Sequence, residues 1–167
     1  MQFAGTKYEP TKEKRQKQLT LSLIHDNGVK YHTVKAHRLA QQLDKDPKIR
    51  VLYDEKIWKP GEKTSQAENI RREKGMISKA DLTIRLIHAP SHTGENRHAG
   101  AVREILETIH QRKPVIQLFE PGARNSPYRT NRERKYGKKI DYHLKKGESP
   151  TKAAHKTMKK LEDWGII

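Results

Sequence analysis

The residues best suited to chemistry lie in one polar loop, at positions 89–98, and in the helical pattern that follows it. The loop carries Ser91, Gly94 and His98, and Glu104 stands near the start of the helical pattern. In open α/β sheets, ligands bind outside the carboxyl ends of the strands, where a loop that leaves a strand lies. We therefore expect the hydroxyl, imidazole and carboxylate groups of this segment to contact a ligand.

Periodicity leaves the role of Glu104 open. At about 100° per residue, its side chain lies roughly opposite an apolar stripe that includes Val102, Ile105 and Ile109. This position predicts a solvent-exposed carboxylate. Such a residue is either an ordinary helix glutamate, favoured near the positive helix terminus, or a carboxylate that faces a cleft.

Short runs of branched apolar residues predict the strands of one sheet, at 19–24, 49–53, 82–88 and 115–119, and a weaker run at 140–144 predicts a fifth. Helix-length segments separate the first four runs, so these strands should be parallel. The pattern predicts a three-layer α/β sandwich, flavodoxin-like, with a five-stranded parallel sheet in the order 2-1-3-4-5.

The helical patterns between these runs lie at 34–43, 64–78 and 99–109. A last helix is predicted to begin at Ser149-Pro150, with Trp164 on its inner side. The 167 residues suffice for one core, so we interpret 18–167 as a single domain after a basic arm at 1–17. A basic loop insertion is expected at about 122–138.

Arg85 is unexpected in the run at 82–88. Central parallel strands are usually apolar on both faces. The sequence therefore predicts a buried carboxylate or a bound anion as the partner of Arg85, unless its strand lies nearer the sheet edge.

Three short motifs between positions 70 and 121 resemble the nucleoside 2-deoxyribosyltransferase family. They are Ala80-Asp81-Leu82, Gly100-Ala101-Val102-Arg103-Glu104-Ile105 and Lys113-Pro114-Val115-Ile116. In that family the glutamate of the second motif is the nucleophile that attacks the sugar C1′ of a nucleoside or nucleotide. The resemblance implies this role for Glu104, substrate contacts for Gly100 and Arg103, and cleavage or transfer at an N-glycosidic bond. It also implies an assembly of at least two copies.

The chain departs from this family in the loop before the glutamate. The family usually places an aspartate there, and this chain has His98 at that position. We therefore predict a catalytic role for His98. The loop is also longer and more basic. These departures favour hydrolysis or a phosphorylated substrate over exchange between free nucleosides. Asp81 stands at the start of its strand, at the opposite edge of the sheet, and is predicted to be structural.

A second resemblance is to TIR domains, some of which cleave NAD at its glycosidic bond. It rests on Tyr53-Asp54 after a strand and on the Pro60-Gly61 loop that follows. TIR domains usually carry a tryptophan four residues before their catalytic glutamate, where this chain has Gly100, so this alternative ranks second. Trp58, in the same loop, either stacks on a substrate base or packs the loop against the protein.

The charge of the chain is strongly positive. Its 36 Lys and Arg residues exceed its 20 Asp and Glu residues by 16. Such an excess favours polyanions or anionic substrates. Between 122 and 146 basic residues alternate with tyrosines, and Arg129, Arg132, Arg134 and Lys135 are the candidate phosphate contacts. The alternative functions are thus a non-catalytic nucleic-acid-binding module on the same fold, or a solvated loop without a ligand.

Several classes of protein are excluded or disfavoured. The chain has no cysteine, which rules out disulfides and cysteine-based zinc sites. No run resembles a membrane span or a signal peptide, so a cytoplasmic protein is expected. Without a GxGxxG or P-loop motif, neither a Rossmann dinucleotide site nor an NTPase is supported. His88, His92 and His98 have only Glu95 as a nearby acid, and no metal or cofactor is expected.

Overall fold

The computed structural model describes residues 18–24, 30–53, 65–89, 99–123 and 130–167. Within these ranges strands and helices alternate: β1 (Leu19–Ile24), α1 (Lys30–Asp44), β2 (Ile49–Tyr53), α2 (Gln66–Lys79), β3 (Leu82–Ile87), α3 (Ala99–His110), β4 (Val115–Phe119), α4 (Asn131–Arg134), β5 (Lys139–His143) and α5 (Pro150–Asp163). The predicted arm at 1–17 and the loop that carries Trp58 lie outside the described residues. None of the helices in the described ranges is long and apolar enough to cross a membrane.

The five strands form one sheet in the order β2-β1-β3-β4-β5. All four neighbouring pairs are parallel. This arrangement confirms the predicted three-layer α/β fold and its strand order. It places β3 in the middle of the sheet, so the loop that leaves β3 starts at the centre of the carboxyl edge.

The two faces of the sheet differ in polarity. Toward α1 and α5, β3 presents Leu82, Ile84 and Leu86, which belong to one large buried apolar cluster together with residues of both helices. Toward α3 the alternate β3 residues are Thr83, Arg85 and Ile87, all buried, and two of these three are polar. The apolar cluster on this second face is small and comes from β1, α3 and β4. The main apolar core therefore lies on the α1–α5 side.

The structure differs from the helix predictions in the start of one helix and in the orientation of Trp164. The helix predicted at 34–43 begins earlier, at Lys30. The last helix begins at Pro150 as predicted, with the Ser149 hydroxyl as its N-cap. The interpretation of Trp164 as an inward residue is wrong, because its side chain is 58% exposed at the end of α5.

Two of the three sequence motifs lie at the amino edge of the sheet and have structural roles. The Asp81 carboxylate accepts a hydrogen bond from the Thr20 backbone N–H at 2.8 Å and thus joins β1 to the start of β3. The Lys113 ammonium donates to the carbonyls of Ile77, Ser78 and Ala80 at 2.8, 2.6 and 2.6 Å. These carbonyls lie at the end of α2, beyond its regular helical hydrogen bonds, and Ile77 also accepts a bond from the Ala80 N–H at 3.1 Å. Lys113 therefore caps α2, and the predicted structural role of Asp81 is confirmed.

Replacing Lys113 should destabilise the fold. In Lys113→Met the three carbonyls at the end of α2 lose their charged donor, and we expect the free energy of unfolding to fall by about 1–3 kcal/mol. Urea denaturation measures this change. The matched control is Lys159→Met, which removes an exposed ammonium 3.3 Å from Asp163 and should change stability by less than about 1 kcal/mol. Equal effects of the two substitutions would contradict the capping role.

Candidate functional site

Glu104 is buried, which corrects the sequence-based expectation of an exposed side chain. It is the sixth residue of α3, in the second helical turn, and only 7% of it is exposed. The face of α3 that packs on the sheet contains Val102, Ile105 and Ile109, and it also contains the polar residues Glu104 and Thr108. The buried face is therefore rotated away from the purely apolar stripe. The reason is the polar surface that β3 presents to this helix.

A chain of buried hydroxyl groups holds this turn of α3 on the sheet. The Ser22 and Thr83 hydroxyls are 2.8 Å apart, and the Thr83 and Thr108 hydroxyls are 3.0 Å apart. Thr108 donates its only hydroxyl hydrogen to the Glu104 carbonyl at 2.8 Å. Thr83 must therefore donate to Thr108, and Ser22 to Thr83. The result is a directed chain from β1 through β3 to the backbone of Glu104.

Arg85 lies in the central strand and is 1% exposed, so the alternative of an edge strand is wrong. Its guanidinium donates to the Gln117 side-chain carbonyl at 3.0 Å, and the Gln117 amide donates to Asp141 at 3.0 Å. Arg85 thus contacts an amide, and the Asp141 carboxylate beyond that amide is 31% exposed rather than buried. A carboxylate or anion in direct contact with Arg85 stays a prediction. Arg85 is two residues nearer the carboxyl edge than Thr83, and Glu104 is one turn nearer than Thr108. Both steps measure about 6 Å, so Arg85 and the turn of Glu104 lie at about the same height along the sheet.

A second charged cluster lies at the carboxyl edge and was not predicted. His88 directly follows β3, Glu120 directly follows β4, and Lys35 belongs to α1. Glu120 accepts from His88 Nδ1 and from the Lys35 ammonium, both at 2.8 Å. Burial raises the pKa of Glu120, but the hydrogen bonds and charges of His88 and Lys35 outweigh it and lower the pKa to about 2. Because an ionised carboxylate only accepts, His88 must carry a proton on Nδ1.

A groove with a volume of about 270 Å³ begins beside this cluster, between α1 and the start of α5. Its lining includes Lys35, Glu120 and Leu86. Leu86 faces α1 and α5, whereas Glu104 lies under α3 on the other face of the sheet. The groove and Glu104 are therefore on opposite sides of the sheet.

The predicted site residues are distributed over three parts of the chain. Gly100, Arg103 and Glu104 share α3. The Arg103 guanidinium donates to both carboxylate oxygens of Glu73 in α2, at 2.9 and 2.7 Å, and so joins the two helices. A substrate contact by Gly100 or Arg103 stays a prediction.

Of the candidate phosphate contacts, Arg132 and Arg134 lie on α4 and Lys135 follows it, and all three are exposed. The remaining candidates lie outside the described residues: Trp58, Ser91, Gly94, His98 and Arg129. Among the described residues, no group of three or more His, Asp or Glu side chains is arranged to hold a metal ion.

Solved structures resemble this chain in fold. The CMP N-glycosidase BcmB of Clostridium botulinum matches with a TM-score of 0.52 and 15% sequence identity, over 81% of this chain and 98% of that protein. A conserved protein of Enterococcus faecalis V583 matches with a TM-score of 0.51 and 15% identity, over 62% of this chain and 64% of that protein. At such identities the likeness shows the fold alone. No protein-family model matches the sequence, and a search of curated proteins finds no match.

The Glu120 cluster should make stability depend on acid pH. The pKa of Glu120 is about 2 in the folded protein, against an ordinary value of 4.5. Below pH 4.5 the unfolded chain therefore takes up a proton that the folded protein does not, and stability is lost as the pH falls from 4.5 toward 2. The full shift corresponds to about 3 kcal/mol. Solvent at this edge screens the charges, so we expect a loss of about 1–2 kcal/mol.

Urea unfolding at several pH values measures this loss. Glu120→Gln should be less stable than wild type at pH 7, and its free energy of unfolding should not show this loss as the pH is lowered. Glu162→Gln, which removes an exposed glutamate at the end of α5, is the control and should lose the same free energy at acid pH as wild type. An unchanged acid dependence in Glu120→Gln would show that the His88–Glu120–Lys35 cluster does not stabilise the fold.

Proposed function

We propose that this protein cleaves or transfers the N-glycosidic bond of a nucleotide, with Glu104 as the nucleophile. The observation that carries the proposal is the buried position of Glu104 in the second turn of α3, the helix that follows the central strand. Exposed helix glutamates need no special explanation, but a buried carboxylate requires compensating groups and is often functional. The fold similarity to the CMP N-glycosidase of Clostridium botulinum supports this choice of bond and substrate class.

The proposed reaction has two steps. The Glu104 carboxylate attacks the sugar C1′ as the bond from C1′ to the base nitrogen breaks, through an oxocarbenium-like transition state. The product is a covalent sugar–enzyme ester and a free base, which His98 protonates as it leaves. In the second step His98 accepts a proton from water, and the water oxygen attacks C1′ and releases Glu104. A second base in place of water gives transfer instead of hydrolysis.

The surroundings of Glu104 suit this role. The hydroxyl chain that ends on its backbone carbonyl fixes the turn from which its carboxylate projects. In this proposal the positive charge of Arg85, which is buried at the same height of the sheet, stabilises the anionic carboxylate of Glu104. Such an effect is stronger in the interior than in water. Preorganised charges of this kind contribute to catalysis because they need not rearrange during the reaction. Both features favour attack by the Glu104 carboxylate on the substrate.

An anionic substrate fits the charge of the chain. The excess of 16 positive charges attracts phosphorylated substrates and speeds their encounter. Ser91, Gly94 and Trp58 are the proposed contacts to the sugar and base. NAD is a second candidate substrate, because its cleavage breaks the same type of bond and needs the same glutamate. CMP, deoxycytidine and NAD therefore form the test panel, since they differ in phosphate content, in the sugar 2′-hydroxyl and in base.

The substitution Glu104→Gln tests the nucleophile. An amide of the same shape cannot form the ester, so the rate of base release should fall at least about a thousandfold. Chromatography of free base released from the panel measures the rate, and CMP should be cleaved faster than deoxycytidine. The matched control is Glu107→Gln on the same helix, where Glu107 lies 3.8 Å from Lys74 of α2. This control should retain most of the activity.

Two results would contradict the proposal. Equal activity of wild type and Glu104→Gln would remove Glu104 from the mechanism. Release of base from none of the three compounds by wild type would reject glycosidic cleavage of this substrate class. Melting temperatures of the variants distinguish a chemical effect from unfolding, and we expect Glu104→Gln to remain folded because it preserves side-chain volume.

A further inference from the structure

Arg112 adopts a backbone conformation that favours glycine. It has a φ of 58°, whereas the other described residues with positive φ are glycines, such as Gly122 and Gly165. Arg112 lies in the turn from α3 to β4. Its N–H bonds the Ile109 carbonyl at 2.9 Å, and the next N–H bonds the Thr108 carbonyl at 3.0 Å. These two hydrogen bonds form a Schellman motif, which ends many helices and usually has glycine at the position that Arg112 occupies. An arginine here is unfavourable for the fold and suggests a use for its charge.

Other cations surround this turn. The Lys138 ammonium donates to the Arg112 carbonyl at 3.4 Å. The Tyr136 hydroxyl donates to the Lys113 carbonyl at 2.9 Å, which places the phenol beside the same turn. Arg132 lies on α4, which packs against α3, the helix that ends at this turn. Burial raises the pKa of Tyr136, and the positive charges of Arg112 and Arg132 partly oppose this rise. Arg112, Arg132 and Lys138 are all exposed, and we name these three residues the amino-edge basic surface.

The acids near this surface are engaged elsewhere. Glu133, next to Arg132 in α4, is completely buried and lies 3.7 Å from the Lys139 ammonium. Asp141 lies 3.4 Å from the same ammonium and accepts from Gln117. Both carboxylates face the Lys139 ammonium, and among the described residues no ion pair joins either of them to Arg112, Arg132 or Lys138. The amino-edge basic surface therefore keeps its positive charge.

We propose that the amino-edge basic surface binds the sugar–phosphate backbone of a nucleic acid. Guanidinium groups match phosphate oxygens in geometry, and two of the three cations are arginines. Tyr136, the aromatic residue beside these cations, is half-buried and its hydroxyl is bonded to Lys113, so its ring is not presented for stacking on a base. Binding should thus be independent of base sequence. The surface lies at the opposite edge of the sheet from the loop after β3, so this activity is separate from glycosidic cleavage.

The substitution Arg112→Gly separates binding from stability. Glycine suits the backbone at φ 58°, so the melting temperature should rise or stay the same while one phosphate loses its guanidinium partner. Fluorescence anisotropy with a labelled duplex DNA of mixed sequence measures affinity. We expect affinity to fall about threefold for Arg112→Gly, and at least about thirtyfold when Arg132→Gln and Lys138→Gln are added. In the triple variant the slope of log affinity against log salt should flatten by about 0.9 for each phosphate that is no longer neutralised.

The matched control replaces Lys152, Lys159 and Lys160 of α5 by glutamine, which removes the same charge from exposed positions on the other face of the sheet. This control should bind within about twofold of wild type if the phosphate contacts are local.

Equal losses of affinity in the two triple variants would show that only net charge matters and would overturn the proposal. Absence of DNA binding by wild type would also overturn it. Polyglutamate that competes as well as unlabelled DNA would overturn it in favour of an acidic protein partner. A lower melting temperature for Arg112→Gly would contradict the strain at this turn.

Discussion

The central sheet of this protein buries polar side chains on the face that α3 covers. Ser22, Thr83, Arg85 and Gln117 are at most 1% exposed there. Polar groups in the interior are strongly destabilising unless they are hydrogen-bonded, so a purely apolar helix face could not pack on them. The helix instead turns its polar residues toward the sheet, and Thr108 completes the hydroxyl chain. This requirement sets the rotation of α3 and buries Glu104 as a consequence.

Charged side chains form one group at each of the two edges of the sheet. At the carboxyl edge, acidic and imidazole side chains follow the central strands, and Glu120 is held ionised between His88 and Lys35. At the amino edge, Lys113 donates to the carbonyls at the end of α2, and Arg112, Arg132 and Lys138 are exposed beside it. In our account, the carboxyl edge performs the chemistry and the amino edge binds a polyanion. The two proposed activities can therefore be removed separately.

Much of the fold could be predicted from the sequence because buried parallel strands are short apolar runs between turn signals. The four main strands begin where those runs do and end within a residue of them, and β5 differs from its run by one residue. The burial of Glu104 could not be predicted, since a helical wheel assigns the inner face from apolar residues alone. The sequence indicated it only through Thr83 and Arg85, two polar residues at alternate positions of β3 that share the face covered by α3. The contact of Lys35 with Glu120 spans 85 positions and needs the three-dimensional fold.

In the proposed mechanism Glu104 becomes covalently attached to the sugar of the substrate. A 2′-fluorinated analogue of CMP can trap this intermediate, because the electron-withdrawing fluorine destabilises the oxocarbenium-like transition state and slows release of the attached sugar. Mass spectrometry of the protein after incubation should show the added mass of the fluorinated sugar phosphate. Peptide mapping should place it on Glu104, and Glu104→Gln should show no adduct. Attachment to a different residue, or release of base without any adduct, would rule out Glu104 as the nucleophile.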